Sequence, residues 1–246
     1  MVRRPVPVTA VPRDEPLAAW RLEFHAPVAS FRDPLFLGPA HGLPVPPPST
    51  VRGLLAAATG ELSESLPFGM AAWSEGGGVD AETYHPIAAD GANPSVSGRV
   101  RAGKGGMTIR NRPFLVGVHL AVWLPGADGD RIARAFRRPR WPLRLGRSQD
   151  LVHVTGREQV VLEPAEEAVV GHALAPVDGH QVPDALVHRM AASVAADRVT
   201  TAWTDYLWCD IPAGRHRVHG AYLDREYDDG VHPGAGKGRA VWLLHP

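Results

Sequence analysis

Twelve cationic side chains crowd one stretch of this chain. Eleven arginines (Arg99, Arg101, Arg110, Arg112, Arg131, Arg134, Arg137, Arg138, Arg140, Arg144 and Arg147) and Lys104 face only Asp128 and Asp130 between residues 99 and 147, a local charge of +10. The whole 246-residue chain is formally neutral, so the remainder carries −10. Guanidinium groups offer forked N–H donors to phosphate oxygens, and a basic stripe displaces counterions from a polyanion, so nucleic acid is the partner this asymmetry suggests. A solvated basic face is the competing reading. Lys104 and Lys237 are the only lysines. That preference, with abundant Ala, Gly and Pro, fits a GC-rich coding sequence, but codon bias explains the residue type and not its clustering.

Other residue groups offer less chemistry. Gly234-Ala235-Gly236-Lys237-Gly238-Arg239 contains a Gly-Lys pair but lacks the glycine spacing and the Ser or Thr of a phosphate loop, and reads as a hairpin tip. Arg215-His216-Arg217-Val218-His219 brings two histidines close without a clustered carboxylate or cysteine, so no metal is expected. His25, His119 and His153 fall in predicted strands, where a packed or surface imidazole is the ordinary outcome. Trp203, Trp208 and Trp242 could stack on bases but suit a core or a subunit contact equally well. No cofactor is implied. Cys209 is the single cysteine, which excludes an internal disulfide and a multi-cysteine zinc site and fits the cytoplasm. No apolar run approaches the roughly 20 residues of a membrane span.

The elements that must position these groups follow from periodicity and punctuation. Trp20, Leu22, Phe24 and Ala26 alternate with Arg21, Glu23 and His25, predicting a strand with one wet face. Ser49 or Thr50 can cap a helix over 51–59 that Gly60 stops, and its free N–H groups suit a phosphate. Residues 74–106 are glycine-rich and poor in large apolar side chains, which predicts a protruding excursion. A strand over 114–124 and a helix over 130–138 ended by Pro139 come next. Two strands over 151–154 and 159–162 flank a turn at Gly156. Further on, strands are expected over 168–174, 206–211 and 240–244, with a helix over 184–196. The sequence predicts an α+β fold of the ferredoxin-like type with additions.

Three pieces carry a family resemblance: Pro27-Val28-Ala29-Ser30-Phe31-Arg32-Asp33-Pro34, then Leu43-Pro44-Val45-Pro46-Pro47-Pro48-Ser49-Thr50-Val51-Arg52-Gly53-Leu54-Leu55-Ala56-Ala57, then Pro142-Leu143-Arg144-Leu145-Gly146-Arg147-Ser148-Gln149-Asp150-Leu151-Val152. Together they resemble the CRISPR-associated Cas-five family of the RAMP superfamily, most closely the members from type I-B style effector complexes. The resemblance covers residues 18 to 160. It implies a ferredoxin-like or RRM-like core (18–165), a long β-hairpin thumb over about 74–112, a loose N-terminal arm (1–17) and a C-terminal extension packed on the core (166–246).

The implied role is a non-catalytic subunit of a Cascade complex that caps the 5′ handle of the CRISPR RNA. Its partners would be a Cas-seven-type backbone subunit, a Cas-eight-type large subunit and, through the complex, target DNA. The residues expected at the RNA are Arg99, Arg101, Lys104, Arg110 and Arg112 on the thumb, and Gly146, Arg147 and Ser148 in the glycine-rich loop. Ser30, Arg32, Ser49 and Arg52 complete the set. For Arg147 the alternative is an arginine paired with Asp150; Arg32 and Arg52 could brace loops instead. One branch of the family resembles a metal-independent endoribonuclease that uses a tyrosine, a lysine and a histidine. Neither lysine here adjoins a histidine and no tyrosine falls in the three motifs, so that trio does not carry over and no enzyme is expected. A scaffold that touches only protein is the third reading.

Overall fold

The computed structural model describes residues 15–33, 41–84, 108–211, 213–228 and 237–246. The predicted N-terminal arm therefore lies outside the described residues, apart from its last three positions. Strand β1 (Leu17–Ala29), helix α1 (Pro48–Thr59), strands β2 (Gly69–Tyr84) and β3 (Thr108–Pro125), helix α2 (Gly126–Ala135) and strand β4 (His153–Val170) come in that order. They are followed by five strands: β5 (Ala175–Pro176), β6 (Leu186–Val194), β7 (Thr201–Trp208), β8 (Ala213–Asp224) and β9 (Arg239–Val241). One six-stranded sheet runs β2-β3-β1-β4-β8-β9, and a three-stranded sheet runs β5-β7-β6. The fold is α+β and mostly strand.

The two faces of the large sheet are set by β1. Leu22, Phe24 and Ala26 are buried on the face covered by α2, with Phe24 meeting Phe136 edge to face at 5.1 Å. Leu120 and Val122 of β3 stand beside Phe24 and Leu22 in register and extend that core. The opposite face was expected to be wet. Instead Arg21 and Trp123 are buried there by the last third of the chain, under Asp224 and Tyr227. Farther along β1, from Glu23 to His25, this face opens to solvent.

Several elements differ from expectation for identifiable reasons. Helix α1 is capped at Pro47, with no side-chain cap bond; proline at the first helical positions sacrifices an N–H that has no partner in any case, so Ser49 and Thr50 lie inside the first turn. Gly60 stops the helix as expected, at φ 87°, with its N–H on the Ala56 carbonyl. Residues 74–84, where the glycine content predicted an excursion, continue strand β2. Glycine there allows close approach, since a Cβ on Gly78 would lie 2.8 Å from the Phe114 ring that crosses it. The predicted turn at Gly156 is a bulge in one continuous β4, opposite Glu23. The expected division at residue 165 falls inside that same strand. Most of the predicted helix over 184–196 is strand β6: Met190 and Ala192 are buried two residues apart, and residues 186–194 pair with β7 around a register shift at Ala192. Residues 213–224, which were given no element, form β8, which extends the large sheet between β4 and β9.

Candidate nucleic-acid interface

Two of the three motif pieces converge at the root of the β2–β3 hairpin, and a buried carboxylate joins them. Asp150 is 3% exposed. It accepts the Ser30 backbone N–H at 3.0 Å, the Arg147 backbone N–H at 2.8 Å and the Arg147 Nε at 3.1 Å. Ser30 Oγ donates to the Pro113 carbonyl at 2.7 Å and accepts from Arg112 Nε at 3.0 Å. The loop between α2 and β4 is pinned from beneath by Leu145, which is fully buried, and by a bond from its N–H to the Asp150 carbonyl at 2.9 Å. A tight local turn thus becomes part of the sheet's end.

Gly146 is required by this geometry. Its φ is +114°, and a Cβ would sit 2.9 Å from both Asp150 Oδ2 and the Ser30 carbonyl. Gly146→Ala is expected to lower stability by about 1–3 kcal/mol through backbone strain and displacement of Asp150. Chemical denaturation of the two proteins measures it, with a change under half a kilocalorie counting against the assignment.

The structure divides the expected RNA contacts. Ser30, Arg112, Gly146 and Arg147 are brought together, with Gly146 and Ser148 exposed. The two arginines are already engaged, however. Arg112 NH1 lies 2.9 Å from Glu82, and Arg147 NH1 lies 3.6 Å from Asp80 besides its bonds to Asp150. Two guanidinium groups share three carboxylates, so they stiffen the loop and hairpin before they could receive phosphate. Arg32 is exposed, in a short bridge with Gly42. Ser49 lines a separate cleft with Gly53, Ser63 and Arg198. Arg99, Arg101 and Lys104 lie outside the described residues, as does the Arg110 side chain.

Arg52 is a correction. It is 2% exposed and donates to the carbonyls of Ala192, Glu64, Leu66 and Leu244, with its guanidinium over the Phe68 ring. Burial pushes its pKa down to about 10, with no carboxylate against it. It braces the fold and cannot reach a phosphate.

The free cations lie where the sequence pattern had counted them without singling them out. Arg134, Arg137, Arg138, Arg140 and Arg144 are exposed and make no ion pair among the described residues. They follow one another along the end of α2 and the loop that leads to Gly146. Trp141 is 58% exposed among them, with the Arg140 guanidinium 5.9 Å from its ring. The backbone N–H groups of Arg140 and Trp141 dock on the carbonyls of Ala58 and Ala57, fixing the segment to the end of α1. Forked donors around an exposed ring suit a sugar-phosphate strand with unstacked bases.

The described residues thus form a mostly antiparallel sheet carrying two helices, with a glycine-pinned loop and an exposed arginine rim. A chain described as "CRISPR RNA-guided surveillance complex" superposes with a TM-score of 0.52 at 19% identity, over 81% of this chain and 91% of that one. A "CRISPR protein from Archaeoglobus fulgidus" covers 94% of this chain and all of its own, at 11% identity and a TM-score of 0.46. No curated protein matches the sequence. The family model described as CRISPR-associated protein (Cas5) matches residues 20–230, and the chain belongs to that family. No helix among the described residues is long and apolar enough to cross a membrane.

Proposed function

We propose that this chain is the non-catalytic subunit of a type I Cascade complex that caps the 5′ handle of the CRISPR RNA. The observation that carries the reading is the unpaired arginine rim running from Arg134 to Arg144 into the exposed Gly146–Ser148 loop. The element order β1-α1-β2-β3-α2-β4 and the strand order β2-β3-β1-β4 support a ferredoxin-like RAMP core. On this reading the hairpin of β2 and β3 is the thumb, and Arg112 on it faces the RNA from the other side. Cas-seven-type and Cas-eight-type subunits then complete the grip and present the guide to target DNA.

Co-expression with those neighbours, purification of the assembly and crosslinking test the reading. RNA is expected to crosslink to the Arg134–Ser148 segment and to the thumb. Replacing Arg137, Arg138 and Arg144 together by alanine is expected to make log K against log salt shallower by about 2, since each phosphate contact to a single strand contributes roughly 0.7 to the slope. An unchanged slope and crosslinks confined to other subunits would leave a protein-only scaffold. The purified chain is expected to leave a repeat-containing transcript intact in chelator; cleavage at a fixed position would make it the processing ribonuclease instead.

A further inference from the structure

Trp73, His119, His25 and His153 stand in one rank across β2, β3, β1 and β4, each opposite the next in register. The last third of the chain reaches this rank at Trp73, whose ring lies 5.9 Å from that of His172, and leaves His153 exposed. The Trp73 and His119 rings stack at 3.9 Å with 6° between their planes, which fixes the His119 imidazole. His119 Nε2 meets Glu75 Oε1 at 2.9 Å, and the His25 ring lies 4.9 Å from the His119 ring. One ligand atom from each of His25, Glu75 and His119 falls within 4.8 Å of the others.

We propose that His25, Glu75 and His119 bind a divalent first-row transition ion of the zinc class, with the remaining coordination position open to solvent. Two ligands bonded to a tetrahedral zinc at about 2.0–2.1 Å stand roughly 3.3 Å apart, so the His119–Glu75 pair is already close to the required spacing, and the His25 nitrogen, within 4.8 Å of both, would close the rest of the gap on binding. Two imidazoles and one carboxylate, without thiolates, favour zinc, cobalt or nickel over magnesium or calcium, which prefer all-oxygen shells.

One feature builds the site rather than merely allowing it. Gly117 has φ +58°, and a Cβ there would lie 2.4 Å from Glu75 Cδ and 2.6 Å from Oε2, so the carboxylate rests where any other residue's side chain would begin.

Calorimetric titration of the tag-free, chelator-stripped full chain with Zn²⁺ tests the site, with Co²⁺ absorption as a second readout. One ion per chain is expected. Glu75→Gln, which changes an exposed side chain, and His25→Ala are each expected to weaken it tenfold or more, whereas His219→Ala on β8 leaves it unchanged. Circular dichroism confirms that each variant is folded. No saturable binding, or binding equally tight in Glu75→Gln and His25→Ala, would overturn the proposal. The site does not depend on the RNA-binding reading, because the titration contains no RNA.

Discussion

Arg52→Ala is expected to lower the unfolding free energy by about 3–5 kcal/mol, the range for removing a buried charge whose partners cannot re-pair. The guanidinium reaches the Ala192 carbonyl at 3.2 Å, Glu64 at 3.0 Å, Leu66 at 2.6 Å and Leu244 at 3.2 Å. It thus ties α1 to the segment after it, to β6 and to the end of the chain. Alanine would orphan all four carbonyls and open a cavity beside Phe68. Arginine's depressed pKa means that its charge is buried at a cost, one present throughout the range below about pH 10. The carbonyl bonds and the ring offset that cost. Arg52→Lys is expected to lose nearly as much as alanine, because a compact ammonium on a flexible stem cannot span carbonyls in several directions. Urea denaturation midpoints at constant slope measure both; a loss below 1 kcal/mol for alanine would show the network to be dispensable.

Arg52 also shows what the sequence could carry. A buried bracing arginine and an RNA-binding arginine look alike in one dimension, since burial depends on Leu244 and Ala192 arriving from far along the chain. The strand over β1 was legible because apolar and polar residues alternate. The Gly146 loop was legible through its motif, although the carboxylate that organises it, Asp150, entered only as a possible partner for Arg147. Strand β2 was not legible from periodicity, because Gly76, Gly77 and Gly78 carry no pattern, and Gly77 and Gly78 are needed there only once Phe114 lies across them. β6 was misread because a short apolar run fits either period until β7 pairs with it. The rank of Trp73, His119, His25 and His153 depends on the register of four strands. No spacing within one segment could have shown it.

The same dependence on distant partners makes Asp224→Ala the other large effect, again about 3–5 kcal/mol. Asp224 is 1% exposed. Its Oδ2 accepts from Arg21 at 2.8 Å and from the Trp123 indole at 2.8 Å, and its Oδ1 accepts the backbone N–H groups of Glu226 and Tyr227 at 3.1 and 3.2 Å. Burial alone would lower the Arg21 pKa, but Asp224 and Glu23 outweigh it and hold it above its ordinary value. Removing the carboxylate leaves Arg21 to Glu23 and Glu158, which are partly exposed, and leaves the indole N–H buried without an acceptor.

The double variant Arg21→Met with Asp224→Leu is expected to recover part of the loss, since an apolar pair avoids the desolvation that one stranded ion suffers. A double-mutant cycle separates the pair from its surroundings; strict additivity of the two single losses would mean that the contact contributes nothing of its own. If the coupling holds, residue 21 in the first long strand and residue 224 near the end of the chain belong to one cooperative unit. The last third, joined to the core by β4 itself and by this buried charge, then cannot be removed at residue 165 without unfolding the sheet that carries the Gly146 loop.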